Sequence, residues 1–311
     1  MNKLLLLILV LNVCRVGDAC AQRTLYSEEL SIKTLRESAS GEYLGRTHLD
    51  AYQLVIFTKD STWSMNIGSE NGGIKCFDFH PVKPLIAIGS YSGAVELWDF
   101  REKILLWSHT VHDKQVNDVK FSPVDDFVAT CGADGKIRFL RTDSGDPIKE
   151  YKLPSPVNSI EFHPVHKNVF ATGDHEGNIV VWKTDAEKAT RTIKAHTSYV
   201  FDLEFSSDGE KLLSASHDHT IKTWQFSTGT LLHTSEGHSK TVYSISISPD
   251  GKTFASGGFD REIGIWNLQT GGNIKFLSGH KDYVNVVHFT LEGHLLSGSR
   301  DGTLRIWDNT K

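Results

Sequence analysis

The pattern that decides the fold is clearest in the last stretch of the sequence, SGSRDGTLRIWDNTK (residues 297–311). A tight Asp-Gly turn precedes an alternating run that ends in a tryptophan, Trp307. The same position recurs upstream at intervals of 41 or 42 residues, at Trp98, Leu140, Trp182, Trp224 and Trp266. A register kept through six copies indicates a repeat architecture rather than a chance similarity.

Each copy has the same internal plan. In four copies a histidine follows the preceding tryptophan position by 14 residues. Next comes an alternating segment such as TVYSISI, followed by a turn such as SPDG. A short apolar run such as TFASGG and a second turn with an aspartate complete the unit. Period-two alternation between closely spaced turns predicts consecutive antiparallel strands, and four strands per unit correspond to one blade of a β-propeller. We find no convincing helical periodicity after the first 21 residues.

These elements resemble the WD-repeat (tryptophan–aspartate repeat) β-propeller family. The resemblance rests on the Gly-His pairs of EGH and SGH, the SPDG turns, the DGT turn and the closing Trp-Asp, and it extends over residues 68–308. It implies an all-β, seven-bladed propeller with six clear blades and a degenerate N-terminal blade; six blades is the alternative. In the degenerate blade, residues 51–60 (AYQLVIFTKD) would form the third strand, with Ile56 in the tryptophan position, and residues 61–68 (STWSMNIG) the outer strand.

The last blade has only three of its four strands when the sequence reaches Lys311. In the family, the missing outer strand is typically supplied by the N-terminal segment. This closes the ring and removes the exposed edge that an open sheet would leave. We therefore expect QRTLYSEELS (residues 22–31) to pair with the strand that ends in Trp307.

The first residues have the features of a secretory signal peptide. A positive charge at Lys3 precedes an apolar run, and small residues at Ala19 and Ala21 mark a cleavage site before Gln22. The apolar run is short for a bilayer span, so an uncleaved segment that tethers the protein to a membrane is the alternative. A lipoprotein acylated at Cys14 or Cys20 fits poorly, because the residues before each cysteine are unsuitable.

The predicted organisation is a signal peptide over residues 1–21 and a single WD-repeat propeller domain over residues 22–311. A cleaved signal predicts a secreted or periplasmic (cell-envelope) protein, and we interpret the chain as a secreted, bacterial-type member. The net charge of −5 is small and mixed in sign, which argues against nucleic acid or an anionic membrane as the main partner. No membrane insertion is expected beyond the signal segment. Cys76 and Cys131 lie in apolar strands and are expected to be buried free thiols, with a disulfide as the alternative.

The family resemblance implies a hydrogen-bonded set of His, Ser or Thr, Asp and Trp inside each blade. A buried carboxylate needs such partners, and the two ring nitrogens of a histidine can join an aspartate to a hydroxyl that also accepts from the indole. The complete sets are His196, Ser214, Asp218 and Trp224; His238, Ser256, Asp260 and Trp266; and His280, Ser297, Asp301 and Trp307. The unit of Leu140 keeps His112, Thr130 and Asp134 but lacks the indole.

Two units depart further from this pattern. The unit of Trp182 has Thr172 and Glu176 but no histidine, and the unit of Trp98 has Ser92 and Ile88 where the aspartate and serine would stand. The C-terminal half is therefore expected to be the better ordered half.

We predict no enzyme activity, catalytic residue, metal or cofactor. A Ser-His-Asp triad occurs once per active site, whereas here the combination recurs at the blade period, as scaffold residues do. Metal binding at HDHT (residues 217–220) or HPVH (residues 163–166) is a weaker alternative, and no nucleotide-binding or metalloprotease motif is present.

The resemblance also implies that a protein or peptide partner docks on the narrow face, where the inner strands begin, and that the propeller is monomeric within a complex. The expected partner-binding residues are Tyr91, His175, Tyr199, Phe201, His217, Tyr243, Phe259, Tyr283, Asn285 and Arg300. Aromatic residues and arginine are enriched at binding hot spots. The alternatives are that several rings pack between blades, or that the channel mouth, with Asn117, Asp118 and Asp202, serves an enzyme or small-ligand binder.

Overall fold

The computed structural model describes residues 22–27, 31–48, 53–58, 64–69 and 71–307. These residues form 28 strands, arranged as seven four-stranded antiparallel sheets, and the described part of the chain holds no helix. The protein is an all-β, seven-bladed propeller. The predicted signal peptide, residues 1–21, lies outside the described residues.

The blades follow one another along the chain and are numbered here from the N-terminus. Blade 1 contains β2 (Ile32–Glu37), β3 (Tyr43–His48), β4 (Gln53–Thr58) and β5 (Ser64–Gly68). Blade 2 contains β6 (Ile74–Phe79), β7 (Leu85–Ser90), β8 (Ala94–Asp99) and β9 (Ile104–Thr110). Blade 3 contains β10 (Val116–Phe121), β11 (Phe127–Gly132), β12 (Lys136–Arg141) and β13 (Pro147–Lys152). Blade 4 contains β14 (Val157–Phe162), β15 (Val169–Asp174), β16 (Asn178–Lys183) and β17 (Arg191–Lys194).

The remaining three blades continue the order. Blade 5 contains β18 (Val200–Phe205), β19 (Lys211–Ser216), β20 (Ile221–Gln225) and β21 (Thr230–Ser235). Blade 6 contains β22 (Val242–Ile247), β23 (Thr253–Gly258), β24 (Ile263–Asn267) and β25 (Asn273–Leu277). Blade 7 contains β26 (Val284–Phe289), β27 (Leu295–Ser299), β28 (Thr303–Trp307) and, as its outer strand, β1 (Gln22–Ser27).

The pairing of β1 with β28 closes the ring, as predicted. The two strands are antiparallel, with Gln22 opposite Trp307 and Ser27 opposite Thr303. The register shifts between Thr24 and Tyr26, which marks a bulge or irregularity. The closing strand ends at Ser27, so it is shorter than the predicted stretch over residues 22–31, of which residues 28–30 lie outside the described part.

Blade 1 confirms the predicted strands but corrects one position. The register places Phe57 opposite Leu44, as Trp98 lies opposite Ile86 in blade 2. Phe57 therefore occupies the tryptophan position, not Ile56. The cause is a longer connection between β3 and β4: His48 precedes Phe57 by one residue more than the corresponding Ser90 precedes Trp98.

The hydrophobic core is a ring of clusters, one between each pair of neighbouring blades. The cluster between blades 3 and 4, for example, packs Phe127 and Phe139 against Phe162 and Phe170. Blade 7 is joined to blade 1 by the same kind of cluster. Each blade is thus stabilised by burial of apolar area on both of its faces. Across the described ranges, no helix is long and apolar enough to cross a membrane.

Cys76 and Cys131 lie within this core. Both side chains are buried, as predicted, and both are free thiols. Burial in an apolar environment raises the pKa of the Cys131 thiol well above its ordinary value, because it disfavours the thiolate. Neither thiol has the low pKa that a reactive cysteine needs.

Candidate functional site

The inner strand of every blade has an irregularity at the same place. In each of the seven, the register shifts between the first and third residues, which leaves the second residue unpaired with its neighbour strand. A β-bulge at such a place redirects a side chain. The seven bulge residues are Lys33, Lys75, Asn117, Asn158, Phe201, Tyr243 and Asn285, and all line a central cavity of about 290 Å³. We call them the bulge ring.

The asparagines of the bulge ring hold neighbouring blades together. The amide nitrogen of Asn117 donates to the carbonyl of Val157 at 2.7 Å. Asn158 repeats this contact with blade 5 at 2.9 Å, and the predicted binding residue Asn285 donates to the carbonyl of Ile32 at 2.8 Å. The amide group of Asn285 therefore serves the seam between blades 7 and 1.

Seven of the predicted binding residues form one continuous surface, which we call the aromatic arc. Its members are His175, Tyr199, Phe201, His217, Tyr243, Phe259 and Tyr283. The ring centroids of His175 and Tyr199 stack at 4.3 Å, and those of Phe201 and Tyr243 approach edge to face at 5.3 Å. Phe259 and Tyr283 stack at 4.0 Å. The arc thus runs without a break from blade 4 to blade 7.

The arc is partly open to solvent. Tyr199 is 40% exposed and His217 is exposed, whereas the other five rings are half-buried. The rings therefore contact one another by stacking or edge to face, and part of their surface is still open to solvent. Offset and edge-to-face contacts of this kind hold aromatic side chains in place, which lowers the entropy that a partner must remove on binding.

Cations flank the arc at its blade 7 end. The guanidinium of Arg300 donates to the hydroxyl of Tyr283 at 2.6 Å and lies 4.9 Å from the centre of its ring. The ammonium of Lys240 lies 5.0 Å from the ring of Phe259. Arg300 thus extends the arc, as the sequence predicted, and cation–π contacts fix its position.

Tyr91 is not part of the arc. It lies after β7 in blade 2, where the ammonium of Lys75 is 5.6 Å from its ring centre. The sequence placed it with the other binding residues because it holds the same position in its blade. That position is repeated around a ring, so equal positions in distant blades are not neighbours.

The predicted blade-interior sets are present. In blade 6, His238 joins Asp260 at 2.8 Å through Nδ1 and Ser256 at 2.7 Å through Nε2, and the indole of Trp266 donates to Ser256 at 2.7 Å. The sets of His196 in blade 5 and His280 in blade 7 are built alike. In blade 3, His112 joins Thr130 and Asp134, both at 2.9 Å.

These contacts explain the ionisation of the sets. Burial opposes the charged form of Asp301, but hydrogen bonds from His280 and Thr303 outweigh it and hold the pKa of that carboxyl well below its usual range. Burial lowers the pKa of His280, so the ring is neutral. Each serine hydroxyl is buried and contacts both a histidine nitrogen and an indole N–H, so it is not placed as a nucleophile.

Blade 2 also provides a hydrogen-bond acceptor for its indole, but the acceptor is a glutamate. Its buried Glu96 accepts from the indole of Trp98 at 2.9 Å through one oxygen, and from Ser69 at 2.8 Å and Asn71 at 2.7 Å through the other. This group was not predicted from the sequence. The available signal was a glutamate in the otherwise apolar stretch AVELW, where a charge is costly without partners.

Blade 4 also replaces the predicted group. Asp174, not Glu176, accepts from the backbone of the turn, at 2.9 Å from both Glu176 N and Asn178 N. The indole of Trp182 donates to Thr172 at 3.0 Å. The turn is thus capped from the end of β15 instead of from within the turn.

Below the bulge ring, charged side chains of the inner strands line the channel. Several carboxylates accept from the backbone of the next blade: Phe121 N–H donates to Asp78 at 2.9 Å, Ile245 N–H to Asp202 at 3.0 Å and Ile247 N–H to Glu204 at 3.1 Å. Because these N–H groups lie at a sheet edge with no neighbouring strand, the carboxylates complete the edge.

Burial perturbs these acids. It raises the pKa of Asp202 to about 6 and that of Glu204 to about 8, because a low-dielectric surrounding disfavours the charged form. Arg36 lies 3.9 Å from Asp118, and Lys120 pairs with Glu161. From the sequence, Asp118 and Asp202 were only scattered polar residues. Spacing along the chain could not show that five further charged groups share the channel with them.

The two weaker metal candidates do not assemble a site. Within the described ranges, no three His, Cys, Asp or Glu side chains are grouped so that they could hold a metal ion. His163 uses both ring nitrogens locally, with Val165 N and His166 N on one side and the carbonyl of Gly209 on the other. In HDHT, Asp218 belongs to the His196 set.

Comparisons with known proteins agree with this architecture. The family model described as "WD domain, G-beta repeat" matches residues 61–99, 103–139, 145–183, 187–225, 229–267 and 271–308. Similar curated proteins include "WD repeat-containing protein 55" from Bos taurus (31% identical over 144 residues, 44% of this chain and 37% of the relative) and from Homo sapiens (30%, with the same coverage). The protein of that name from Rattus norvegicus is 26% identical over 189 residues, 59% of this chain and 48% of the relative.

This chain spans less than half the length of these relatives, and all three are from mammals. They give no support for a bacterial-type or secreted member. Among solved structures, the "WD40 beta propeller domain of Doa1" is similar, with a TM-score of 0.79 at 20% identity over 94% of this chain and 98% of that one. At this identity the likeness shows the fold.

Proposed function

Since the chain belongs to the WD domain, G-beta repeat family, we propose that it is a non-catalytic scaffold that binds a protein or peptide partner on the narrow face of its propeller. The observation that carries this proposal is the aromatic arc, which is continuous across four blades and flanked by Arg300. Large rings and arginine supply most of the binding energy at protein interfaces. Fold alone would not favour one function over another.

The arc suits a partner because its rings are already fixed. An extended peptide laid along blades 4 to 7 would cover exposed aromatic carbon at Tyr199 and could accept hydrogen bonds from Arg300. The blade-interior histidines do not compete for this role, since their ring nitrogens are occupied. The proposed scaffold therefore separates the residues that hold the blades from those that meet the partner.

The experiment compares capture by two triple variants. Tyr199→Ser, Tyr243→Ser and Arg300→Ser together remove exposed parts of the narrow face. Val82→Ser, Val124→Ser and Val165→Ser remove exposed apolar groups on the opposite face, where the inner strands end. Quantitative affinity capture with the full chain should lose its specific partners with the first variant and keep them with the second. Identical partner sets for both variants would refute the narrow-face proposal.

We also propose that the protein is exported, to the periplasm or cell envelope or out of the cell, as a secreted bacterial-type member of the family. The support is the sequence of residues 1–21: a basic start, a short apolar run and a small-residue cleavage site. Mass spectrometry of the protein purified from its source should find an N-terminus at Gln22. An intact Met1 on membrane-bound protein would show instead a tethered form.

A further inference from the structure

The bulge ring is divided into sectors of different chemistry. Its side chains are amides at Asn117, Asn158 and Asn285, aromatic rings at Phe201 and Tyr243, and ammonium groups at Lys33 and Lys75. The amides are used between blades. The rings and the ammonium groups come from opposite sides of the mouth, blades 5 and 6 against blades 1 and 2.

Lys75 is held in position by its neighbours. Its ammonium donates to Asn117 Oδ1 at 2.6 Å and lies 5.6 Å from the ring centre of Tyr91. An ammonium has three N–H donors, and one of them is used by Asn117. Lys75 is therefore a fixed cation with donors that remain available at the mouth of the cavity.

Lys33 is the other cation of the mouth. It is half-buried, and across the described residues it has neither a hydrogen bond nor an ion pair. Burial lowers the pKa of Lys33, and burial together with the charge of Lys33 lowers the pKa of Lys75 to about 8. The two ammonium groups thus repel each other where water is scarce.

The carboxylates deeper in the channel are already engaged. Asp118 lies beside Arg36 and accepts from Ile160 N at 3.2 Å. Glu161 pairs with Lys120. Within the described part of the chain, an anion at the mouth would therefore meet two cations that have no carboxylate partner of their own.

We propose that the mouth of the cavity binds an acidic side chain of the partner, whose carboxylate lies between Lys33 and Lys75 while an adjacent aromatic or aliphatic residue packs on Phe201 and Tyr243. The occupant is an acidic–apolar segment of a protein. Charge complementarity selects it, since a basic segment would add a third cation to the pair. This inference rests on the proposed function and names the chemistry of its partner.

The first step of the test selects a binding peptide from a library. The full chain is immobilised and exposed to octapeptides in which each position is varied in turn. The expected result is enrichment of Asp or Glu at one position, directly beside an aromatic or aliphatic residue. Enrichment with no acidic preference would overturn the inference but leave the proposed narrow-face function standing.

The second step measures the charge directly. The enriched peptide and its Glu→Gln or Asp→Asn analogue are titrated by calorimetry against the unmodified protein, and the analogue should bind roughly tenfold or more weakly, because a charge-assisted contact is lost. Lys33→Gln should remove most of this preference, and Lys33→Arg should keep it. Lys33 makes no polar contact within the described fold, so this variant is expected to fold normally.

A matched control separates the site from general charge. Lys114 is an exposed lysine on the same face, outside the bulge ring, and Lys114→Gln should leave the tenfold preference unchanged. The same preference in Lys33→Gln as in the unmodified protein would overturn the inference. Equal binding of the peptide to a variant with only Tyr199→Ser and Arg300→Ser, which keeps the bulge ring intact, would contradict the proposed function instead.

Discussion

Blades 2 and 6 place a tryptophan at the same position and satisfy its indole in different ways. In blade 6, the indole of Trp266 donates to Ser256, which is held by His238 and Asp260. In blade 2, the carboxylate of Glu96 accepts from the indole of Trp98 directly. Glu96 is only 1% exposed and gathers two further donors from the chain before β6.

The difference teaches that the blade requires an acceptor for the indole and a group that ties the entering chain to the sheet. A relay of three residues meets both needs in blade 6, and one glutamate meets them in blade 2. Buried polar groups cost free energy only when they lack partners. The predicted order of stability, with the C-terminal blades ahead, is therefore a hypothesis about these two solutions.

The largest expected effect tests whether a complete interior set can hold a blade without its outer strand. Blade 7 has the full set of His280, Ser297, Asp301 and Trp307, and deletion of residues 23–30 removes β1 from its edge. Four of the five paired positions are lost, so the free energy of unfolding should fall by roughly 2–6 kcal/mol at about 0.5–1.5 kcal/mol per hydrogen bond. Thermal denaturation measures the loss.

Hydrogen exchange shows which part of the ring loses stability after the deletion. Amides of β28 (Thr303–Trp307) should exchange much faster after the deletion, and those of blade 4, on the far side of the ring, should change less. A variant with residues 23–30 replaced by a Gly and Ser segment of the same length controls for chain length. Melting of the deletion variant at the temperature of the full chain would contradict closure of the ring by β1.

The second prediction compares the loss of stability on replacing the residue at the aspartate position in blade 6 and in blade 2. Asp260→Asn weakens the bond to Nδ1 of His238 and the capping of Ser239 N at 3.0 Å, and it should cost about 2 kcal/mol. Ser92→Ala alters an exposed residue at the equivalent place in blade 2 and should cost less than about 0.5 kcal/mol. Chemical denaturation at neutral pH gives both values, and equal losses would refute the predicted order.

The third prediction tests whether the hydrogen bonds of Glu96 stabilise blade 2. Glu96→Gln keeps the size of the side chain and exchanges one acceptor oxygen for an amide that opposes a donor. We expect a loss of about 1–2 kcal/mol, because a buried donor is left without its acceptor. Glu102→Gln, in the exposed turn after β8, is the matched control and should be neutral. If both variants unfold at the same denaturant concentration, the indole of Trp98 does not depend on Glu96.

The smallest expected effect is on the pH dependence of stability, which should differ between the channel carboxylates and those inside the blades. Burial raises the pKa of Glu204 to about 8, so the folded state holds this proton more tightly than the unfolded state. Its contribution to stability is therefore present at low pH and is lost as the pH rises through about 8. Between about pH 4.5, the ordinary pKa of a glutamate, and about pH 8, the full chain should lose stability relative to its Glu204→Gln variant.

The contribution of the blade-set aspartates to stability changes with pH in the opposite direction. The pKa of Asp301 is lowered in the folded state, so its contribution is present above the unfolded value and is lost only in strong acid. Denaturation curves across the pH range distinguish the two classes. The control is Glu210→Gln, on an exposed turn, whose free energy of unfolding should match that of the full chain at every pH. If the free energy of unfolding of Glu204→Gln also matched that of the full chain at every pH, Glu204 would not be protonated at neutral pH.

The repeat period was enough to predict the seven blades, the four-strand plan and the closing strand, because these depend on spacing along the chain. It also predicted the aromatic arc, whose members hold equivalent positions in adjacent blades. Spacing failed at Ile56, since one additional residue between β3 and β4 moves Phe57 into the tryptophan position.

Glu96 and the channel charges were missed for a different reason. Their partners come from other blades or from the chain before the blade, 25 to 43 residues away, such as Asn71 for Glu96 and Ile247 for Glu204. A motif contains only residues within one repeat. The bulge ring was partly anticipated, because Asn117, Phe201, Tyr243 and Asn285 were named from the sequence. Its division into ammonium and aromatic sides becomes clear only when the ring is closed.

The closure of the ring by β1 also sets an order of events during synthesis. The strand Gln22–Ser27 leaves the ribosome first, and its partner Thr303–Trp307 follows about 280 residues later. At ordinary rates of translation this is on the order of 15–55 s. Blades 1 to 6 are each contiguous in sequence and can form as they are made, but blade 7 must wait for the last strand. Throughout that interval β1 is an unpaired strand, and a neighbouring nascent chain that offers β28 first would yield an exchanged dimer instead of a closed ring.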